Sequence, residues 1–242
     1  MVHNVPMRLI LASASPARRA TLVAAGITPI VKVSTVNEES VLAKLPGGRA
    51  FSGGHTTPGD EVGALAAAKC ANVSEALRAP GSEAALPDSE AALVIGCDSM
   101  LEINGQMQGK PHTPDVARER IRAMRRMTAT LWTGHSVALL SPASSAPGTK
   151  PSARTIKAQL TRCASTQVHF GDISDQEIDA YVATGEPLQV AGSFTVDGLG
   201  GPFIEGVTGD YHLVVGISLP LLRSMATELG LFWPDLWDTP RP

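Results

Sequence analysis

The sequence is poor in the residues that mark several common classes of protein. Cys70, Cys97 and Cys163 are odd in number and contain no C-x-x-C pair, which argues against a disulfide framework and a zinc site. Aromatic residues make up only 4% of the chain, and 20 Lys and Arg against 23 Asp and Glu give a net charge of −3. A nucleic-acid module needs a basic face with stacking aromatics, so we expect no nucleic-acid partner.

Long apolar segments are also missing. No apolar run approaches the ~20 residues that a membrane helix requires. The first seven residues are neither basic nor followed by a long apolar region, unlike a signal peptide. We therefore expect a cytoplasmic protein with no membrane partner. The 242 residues, 43% of them hydrophobic, suffice for a real core in one large domain or two small ones.

The strongest local signals lie between residues 93 and 111. The apolar run 93–97 is typical of a buried strand, and Asp98 follows at its carboxyl end, where open α/β sheets place ligand-binding groups. Asn104-Gly105 predicts a two-residue type I′ turn, which would place Asp98 and Lys110 side by side on paired strands. An acid beside a cation suits work on a phosphate; the alternative is an ordinary exposed salt bridge.

A second group of signals marks the start of the first predicted helix. Ser15 is a good N-cap, and Pro16 fits the first helical position. Arg18 and Arg19 oppose the helix macrodipole, which prefers acids in the first turn. Together with the free N–H groups of the helix start, the two guanidinium groups indicate an anion site. The alternative is that both arginines are solvated surface charges.

Lys69 lies on the apolar stripe of a long helix, predicted from Asp60 to about Arg78. It is four residues from both Leu65 and Val73, which share that stripe at helical spacing. Such a lysine usually extends to water along its own stem. The alternative is that the stripe borders a cleft into which Lys69 points.

Apolar alternation and turn signals predict the remaining elements. We expect strands near 8–12, 30–34, 130–140 and 155–170, and helices that start near Thr113, Ser174 and Leu219. Ser174 and Glu177 have the spacing of a capping box, and Gly26 and Gly185 are expected to end the helices that precede them. Glu38 follows the second strand in an acid cluster, which is more often loop solvation than a metal site. The glycine-rich segment 191–201 lacks the last glycine of a dinucleotide fingerprint. Backbone close to a ligand and a plain loop explain its glycines equally well.

Several short motifs occur in a definite order along the chain. They include Leu11-Ala-Ser13-Ala-Ser15-Pro-Ala-Arg18, Leu65-Ala-Ala-Ala-Lys69, Ile95-Gly-Cys-Asp98-Ser99, Gly109-Lys110-Pro111, Gly185-Glu186-Pro187 and Gly209-Asp210-Tyr211. With these motifs the chain resembles the Maf family of nucleoside triphosphate pyrophosphatases from about Arg8 to Gly230. The resemblance implies an α/β fold with a highly curved mixed β-sheet, flanking helices and two lobes around a cleft. It implies a single catalytic domain over 1–242, with its core at about 8–230 and low-complexity loops near 45–59, 79–92 and 141–152.

The resemblance also implies an activity and roles for individual residues. Members of the family cleave nucleoside triphosphates to the monophosphate and pyrophosphate with a divalent cation, Mg²⁺ or Mn²⁺. Carried over by position, the residues that hold the triphosphate are Ser13, Arg18, Lys69 and Lys110. Asp98 would be the general base for water, or would ligate the metal and orient water, and Glu38 would help to hold the metal. The resemblance leaves room for a homodimer.

Some positions differ from the family pattern or between its branches. Asn37 stands where an aspartate is usual, and Val190 replaces a common lysine. The base-selecting positions correspond to Ala17, Ser99 and Asp197. Family members that prefer uracil and thymine triphosphates look to carry arginine at the first of these positions and glutamine at the last. Members that act on 7-methylguanine look to carry an acidic residue at the last position, and this chain is similar to them there. Asp197 therefore predicts a preference for guanine-type triphosphates, although Ser99 resembles the pyrimidine branch.

A different class of function is a nucleotide-sensing regulatory protein that does not hydrolyse its ligand. Family members are associated with septum formation, which gives such a role a context. The retained Asp98 argues against it and favours an enzyme.

Overall fold

One mixed sheet runs through the computed structural model, which describes residues 7–78, 86–143 and 153–238. Its seven strands in this described part are β1 (Met7–Leu11), β2 (Ile30–Val31), β3 (Ala91–Ile103), β4 (Gln106–Gln108), β5 (Thr128–Leu140), β6 (Ile156–Phe170) and β7 (Ile204–Thr208). Their order is β2-β1-β3-β5-β6-β7, with β4 on β3. β1 is parallel to β2 and β3, and the other pairs are antiparallel. The α/β class with a mixed sheet is confirmed.

Helices flank this sheet. They are α1 (Pro16–Ala24), α2 (Glu38–Leu42), α3 (Pro58–Arg78), α4 (Pro114–Met124), α5 (Asp175–Ala183), α6 (Tyr211–Val215) and α7 (Leu219–Glu228). Short 3-10 turns occupy Glu186–Gln189, Ala191–Ser193, Gly201–Phe203 and Trp233–Leu236. In the described ranges, none of the helices has the length and apolar character to cross a membrane.

The predicted helix ends that depend on local chemistry are confirmed. The Ser15 hydroxyl accepts a hydrogen bond from the Arg18 N–H at 3.3 Å, and Ser174 forms the predicted capping box with Glu177. Gly26 and Gly185 follow the ends of α1 and α5 with positive φ angles, which glycine adopts without strain. These elements are set by residues within a few positions of one another.

Strand alternation divides the core between the two faces of the sheet. Leu9 and Leu11 face a cluster that includes Leu22 of α1 and Leu222 of α7, whereas Ile10 between them packs in a cluster with Val73 of α3. A third cluster lies around the far end of β3. It contains Leu101, Ile121, Val168 and Ile178. The sheet is therefore covered on both faces near β1 and β3, as a parallel pair requires.

Two glycines let α3 approach the sheet closely. A Cβ at Gly96 of β3 would collide with the carbonyl of Ala66, and one at Gly134 of β5 would collide with the carbonyl of Val62. Asp98 follows Gly96 by two positions, so its side chain points to the same face of the sheet as that glycine position. The approach of α3 thus brings Lys69 to Asp98.

The position of Asp98 in the strand differs from the prediction. β3 is 13 residues long and runs on to Ile103, so the expectation that Asp98 ends its strand is wrong. β1 pairs with β3 only as far as Ile95, and β4 begins to pair at Leu101. Between these two neighbours, residues 96–100 have a described strand, β5, on one edge only. Asp98 therefore lies at an open edge inside a long strand.

The hairpin after Asp98 has the predicted turn but a shorter ladder. Ile103 pairs with Gln106 across Asn104 and Gly105, whose φ angles are 52° and 70°, as a type I′ turn requires. β4 ends at Gln108, so Lys110 is not paired opposite Ser99. The predicted side-by-side placement of Asp98 and Lys110 on paired strands is therefore wrong.

Other boundaries shift by a few residues. The second strand is two residues long rather than spanning 30–34, and the long helix begins at Pro58 rather than Asp60. The predicted loop 79–92 overlaps β3 at Ala91 and Ala92, and its residues 79–85 lie outside the described part. Of the loop 141–152, residues 141–143 have no regular structure, and 144–152 lie outside the described part.

Candidate active site

A cavity of about 880 Å³ lies at the open edge of β3. It collects all the residues that the sequence assigned to the site: Ser13, Ala17, Arg18, Glu38, Lys69, Asp98, Ser99, Lys110 and Asp197. These residues come from five places along the chain: the start of α1, α2, α3, β3 with its hairpin, and the segment after residue 190. A backbone edge without a strand neighbour is what allows side chains from both faces of the sheet to reach one space.

Lys69 connects two carboxylates at the base of this cavity. Its Nζ lies 2.5 Å from Asp98 Oδ1 and 2.7 Å from Glu38 Oε1. Only 14% of the Lys69 side chain and 11% of the Asp98 side chain are exposed, against 54% for Glu38. Lys69 therefore points into the cavity, and it does not extend to bulk water along its stem.

Burial governs the protonation of Asp98. Removal of this carboxylate from water raises its pKa, and the nearby Glu38 charge acts in the same direction. The Lys69 ammonium and the Arg18 guanidinium oppose this rise. The net result is a pKa above that of an ordinary aspartate, which makes Asp98 a stronger base when it is ionised.

Arg18 is held by protein acceptors on several elements. Its Nε donates to the carbonyl of Gly216 at 2.8 Å, and its Nη1 donates to the carbonyl of Cys97 and to the hydroxyl of Ser13, both at 3.0 Å. Its Nη2 donates to the hydroxyl of Ser99 at 2.9 Å. The Cys97 carbonyl belongs to the open edge of β3, so Arg18 satisfies an acceptor that a neighbouring strand would otherwise take.

This arrangement changes the interpretation of the first helix. Arg18 is neither a solvated charge nor wholly available to an anion, because much of its guanidinium group is bonded to the protein. Arg19 is exposed and follows the alternative interpretation of a surface charge. The predicted anion site at the start of α1 therefore has Arg18 as its only inward-facing arginine among the described residues of that helix.

Comparison with known proteins identifies the family. The model of the family described as Maf-like protein matches residues 8–229. The chain belongs to the Maf family. The predicted resemblance is thus confirmed over nearly the whole chain.

Relatives of similar length carry one name. A protein from Nocardia farcinica named nucleoside triphosphate pyrophosphatase is 46% identical over 96% of this chain and 97% of its own length. Proteins of the same name from Streptomyces coelicolor and Mycobacterium marinum are 45% and 43% identical, each over 95% of this chain and at least 94% of their own length. The match to Maf-family proteins is therefore full-length in both directions.

The other predicted site residues also line the cavity. Lys110 and Asp197 are exposed, and Ala17 is partly buried. Ser99 is shared between two bonds, because its Oγ accepts from Arg18 and lies 2.9 Å from Thr133 Oγ1. The structure thus brings Lys110 to the same cavity as Asp98, although the two do not pair along the hairpin.

Sequence reasoning missed one cation of the cavity. Arg49 lies in the segment that was predicted only as a Gly/Pro/Ser-rich loop, yet it lines the cavity. Its Nε donates to Oε1 of the fully buried Glu61 at 2.7 Å, and its Nη1 lies 3.8 Å from Glu39. The need of Glu61 for a partner gave no signal in the sequence, because only the structure shows that this carboxylate is buried.

We expect Arg18→Ala to lower the free energy of unfolding by about 1–3 kcal/mol, because it leaves the Cys97 and Gly216 carbonyls without their donor. The same change should also reduce activity, since Ser13 and Ser99 lose their common partner. The matched control is Arg19→Ala, at the exposed neighbouring position. Urea unfolding of both variants checks the prediction, and equal stability of the two would contradict it.

Proposed function

We propose that this protein hydrolyses nucleoside triphosphates at the α-phosphate, releasing the nucleoside monophosphate and pyrophosphate. The broader class follows from homology: the full-length match to proteins of that name makes it a nucleoside triphosphate pyrophosphatase, a hydrolase. The observation that carries the proposal is the buried Asp98 carboxylate, held by Lys69 in a cavity that is also lined by Lys110. This arrangement combines a base with cations, as phosphoryl chemistry requires.

Asp98 is assigned to the attacking water. Lys69 holds Oδ1, and we assign Oδ2 to accept the proton as water attacks the α-phosphorus. Burial raises the pKa of Asp98 and so improves its ability to accept a proton near neutral pH. Lys69 fixes the direction of the carboxylate, which is a positioning role in addition to its charge.

We assign the binding of the polyphosphate to positively charged side chains. As water attacks, negative charge moves to the departing pyrophosphate, and fixed positive groups stabilise that charge. Lys110, which is exposed, and Lys69, which is largely buried, both line the cavity that contains Asp98. Ser13 and the part of Arg18 that faces the cavity complete the proposed triphosphate site.

The charge of the cavity supports a divalent cation. Among the described residues that line it, the cations Arg18, Arg49, Lys69 and Lys110 are matched in number by the carboxylates Glu38, Glu39, Asp98 and Asp197. Their charges cancel, so the charge of a triphosphate has no net counterpart in these side chains. A bound Mg²⁺ or Mn²⁺ would supply positive charge to the phosphate oxygens.

The donor set fits such an ion when it arrives with substrate. Within the described ranges no group of three or more His, Cys, Asp or Glu side chains could hold a metal alone. Glu38 and Asp98, however, both lie beside one Lys69 nitrogen and so face the same space. One or two carboxylates plus substrate oxygens is the usual way in which proteins hold Mg²⁺ at phosphates. We therefore propose Glu38 and Asp98 as the residues that would hold the metal. An Asp98 that ligates the metal would orient the attacking water, and it would not itself accept the proton.

For the base we propose a preference for guanine-type triphosphates. Asp197 lines the cavity with its carboxylate exposed. A carboxylate only accepts hydrogen bonds, so it matches the adjacent N1–H and N2–H donors of guanine, whereas uracil presents a mixed edge. Ala17, which also lines the cavity, is too small to compete for the base.

The remaining features of the family are proposed for this chain as well. One sheet runs from β2 to β7, so we propose that the core at about 8–230 acts as a single catalytic domain. We propose that the cavity is the cleft between the two lobes of a highly curved sheet. A cytoplasmic location, and a homodimer as the oligomeric form, complete the proposal.

Activity should depend on a divalent cation. Because the charges of the cavity cancel, we expect turnover with Mg²⁺ or Mn²⁺ to stop when a chelator is in excess, and to return when the metal is restored. Pyrophosphate release measures this directly. Full turnover in the presence of chelator would contradict the role given to Glu38.

Asp98→Asn should abolish turnover while nucleotide binding is largely kept. The amide preserves shape but cannot accept the proton, so we expect a loss of at least ~10²-fold in kcat. The control is Asp172→Asn, at an exposed site that pairs with Arg126. Calorimetric titration with a non-hydrolysable triphosphate separates binding from chemistry. Near-wild-type kcat in Asp98→Asn would remove this residue from the mechanism.

Wild-type protein should have a higher kcat/KM for GTP and 7-methyl-GTP than for UTP and dTTP. Asp197→Gln should narrow the difference by about tenfold, which is roughly the contribution of one good polar contact. The four substrates are compared under identical metal concentration. A wild-type preference for UTP that does not change in Asp197→Gln would show that the base is selected elsewhere.

A further inference from the structure

We infer that Glu186 is the positioning residue that shapes the base-selecting side of the cavity, through the segment 195–200. This inference rests on the proposed function and extends it to a residue that does not line the cavity. Residues 195–197 of that segment do line it, including Asp197. The segment contains no helix or strand, so its shape must come from other contacts.

Glu186 makes contacts with both ends of this segment. Its Oε1 accepts hydrogen bonds from the Thr195 hydroxyl and from the Gly200 N–H, the latter at 3.1 Å. Its Oε2 accepts from the Leu199 N–H, also at 3.1 Å. These bonds span Asp197 from two residues before it to three residues after it. A single carboxylate therefore fixes the distance between the two ends of the loop that carries Asp197.

A tyrosine on α5 reinforces the same point. Tyr181, which is only 5% exposed, donates its hydroxyl to Glu186 Oε1 at 3.1 Å and accepts from the Thr195 N–H at 3.1 Å. Glu186 itself begins a 3-10 turn in which Pro187 is buried, directly after Gly185. The backbone of Glu186 is thus restricted, since this residue lies in a 3-10 turn and directly precedes a proline.

The glycines of the segment fit this arrangement. A Cβ at Gly198 would lie 2.8 Å from Glu186 Oε2, and one at Gly200 would lie 2.6 Å from the Tyr181 hydroxyl. The sequence left open whether these glycines allow close approach to a ligand or belong to a plain loop. The structure gives a different reason, because the backbone must wrap closely around the Glu186 carboxylate.

The chemistry requires a carboxylate at this position. All of its partners, the hydroxyls of Thr195 and Tyr181 and the two backbone N–H groups, are donors, and an ionised carboxylate only accepts. Burial would raise the pKa of Glu186, but the hydrogen bonds from Thr195, Leu199, Gly200 and Tyr181 outweigh burial and lower it. Glutamine would keep the volume but direct its NH₂ group at one of these donors.

The test compares base selectivity in Glu186→Gln with that of the wild type. We expect KM for the preferred nucleotide to rise and the ratio of kcat/KM values across GTP, 7-methyl-GTP, UTP and dTTP to fall, each by about five- to tenfold, with a smaller change in kcat. Inorganic tripolyphosphate, which has no base, should inhibit wild type and variant with constants that agree within about twofold.

Three further variants make the result specific. Glu177→Ala breaks the capping box of α5 and should lower the melting temperature without changing selectivity. Asp197→Ala should reduce selectivity, and Glu186→Gln added to it should reduce selectivity no further, since both act through one segment. Thr195→Val removes a single donor and serves if Glu186→Gln does not fold; it should cause a smaller fall in the same ratio.

Two results would overturn the inference. The first is a Glu186→Gln protein with wild-type selectivity, and the second is an equal loss for every nucleotide and for tripolyphosphate, which would mean a purely structural role. Failure of the proposed function is distinguishable. If the wild type releases no pyrophosphate, selectivity is measured instead from the ratios of the dissociation constants of the four triphosphates. Glu186→Gln should still bring these ratios closer to one.

Discussion

Arg18 donates to the Cys97 carbonyl where β3 has only one described strand beside it, and the rest of the site depends on that open edge. If β1 continued to pair with β3 beyond Ile95, its backbone would fill the space in which Asp98 and Ser99 now line the cavity. The edge cannot simply be left bare, because a buried carbonyl without a donor is costly. A long side chain from α1 solves the problem and leaves room for a ligand.

Charge pairing sets a second limit on the same space. Lys69 and Asp98 are both largely withdrawn from water, and neither charge would be tolerated there alone. Glu38 extends the pair toward solvent, so the buried charges connect to the surface through one chain of contacts. The close approach of α3 at Gly96 and Gly134 makes this pairing geometrically feasible. Packing and electrostatics are therefore two parts of one constraint.

How far the sequence could predict this site depended on the range of the interactions. The N-cap at Ser15, the capping box at Ser174 and the Asn104-Gly105 turn involve residues a few positions apart, and all were predicted correctly. The family resemblance supplied the set of site residues, and the structure brings them all to one cavity.

Long-range contacts account for what was missed. Arg18 bonds to Gly216, 198 positions away, and nothing near either residue in the sequence signals that contact. The full length of β3 comes from its pairing with β5, which continues through the polar positions that seemed to end the strand. Arg49 was hidden in a segment whose composition resembles that of an unstructured loop, since its buried partner Glu61 lies on another element.

The side chains of β3 alternate between the two faces of the sheet, and this limits the changes of length that the strand can tolerate. Cys97 faces an apolar cluster and Asp98 faces α3, so a shift of one residue would send the carboxylate into hydrocarbon and a thiol into the cavity. It would also replace Gly96 beneath α3 by a residue with a side chain. A single-codon insertion or deletion within residues 91–95 would therefore remove both the acid from the cavity and the glycine beneath α3. Natural length variation among descendants of this gene should be confined to the loops, and this strand should vary by substitution alone.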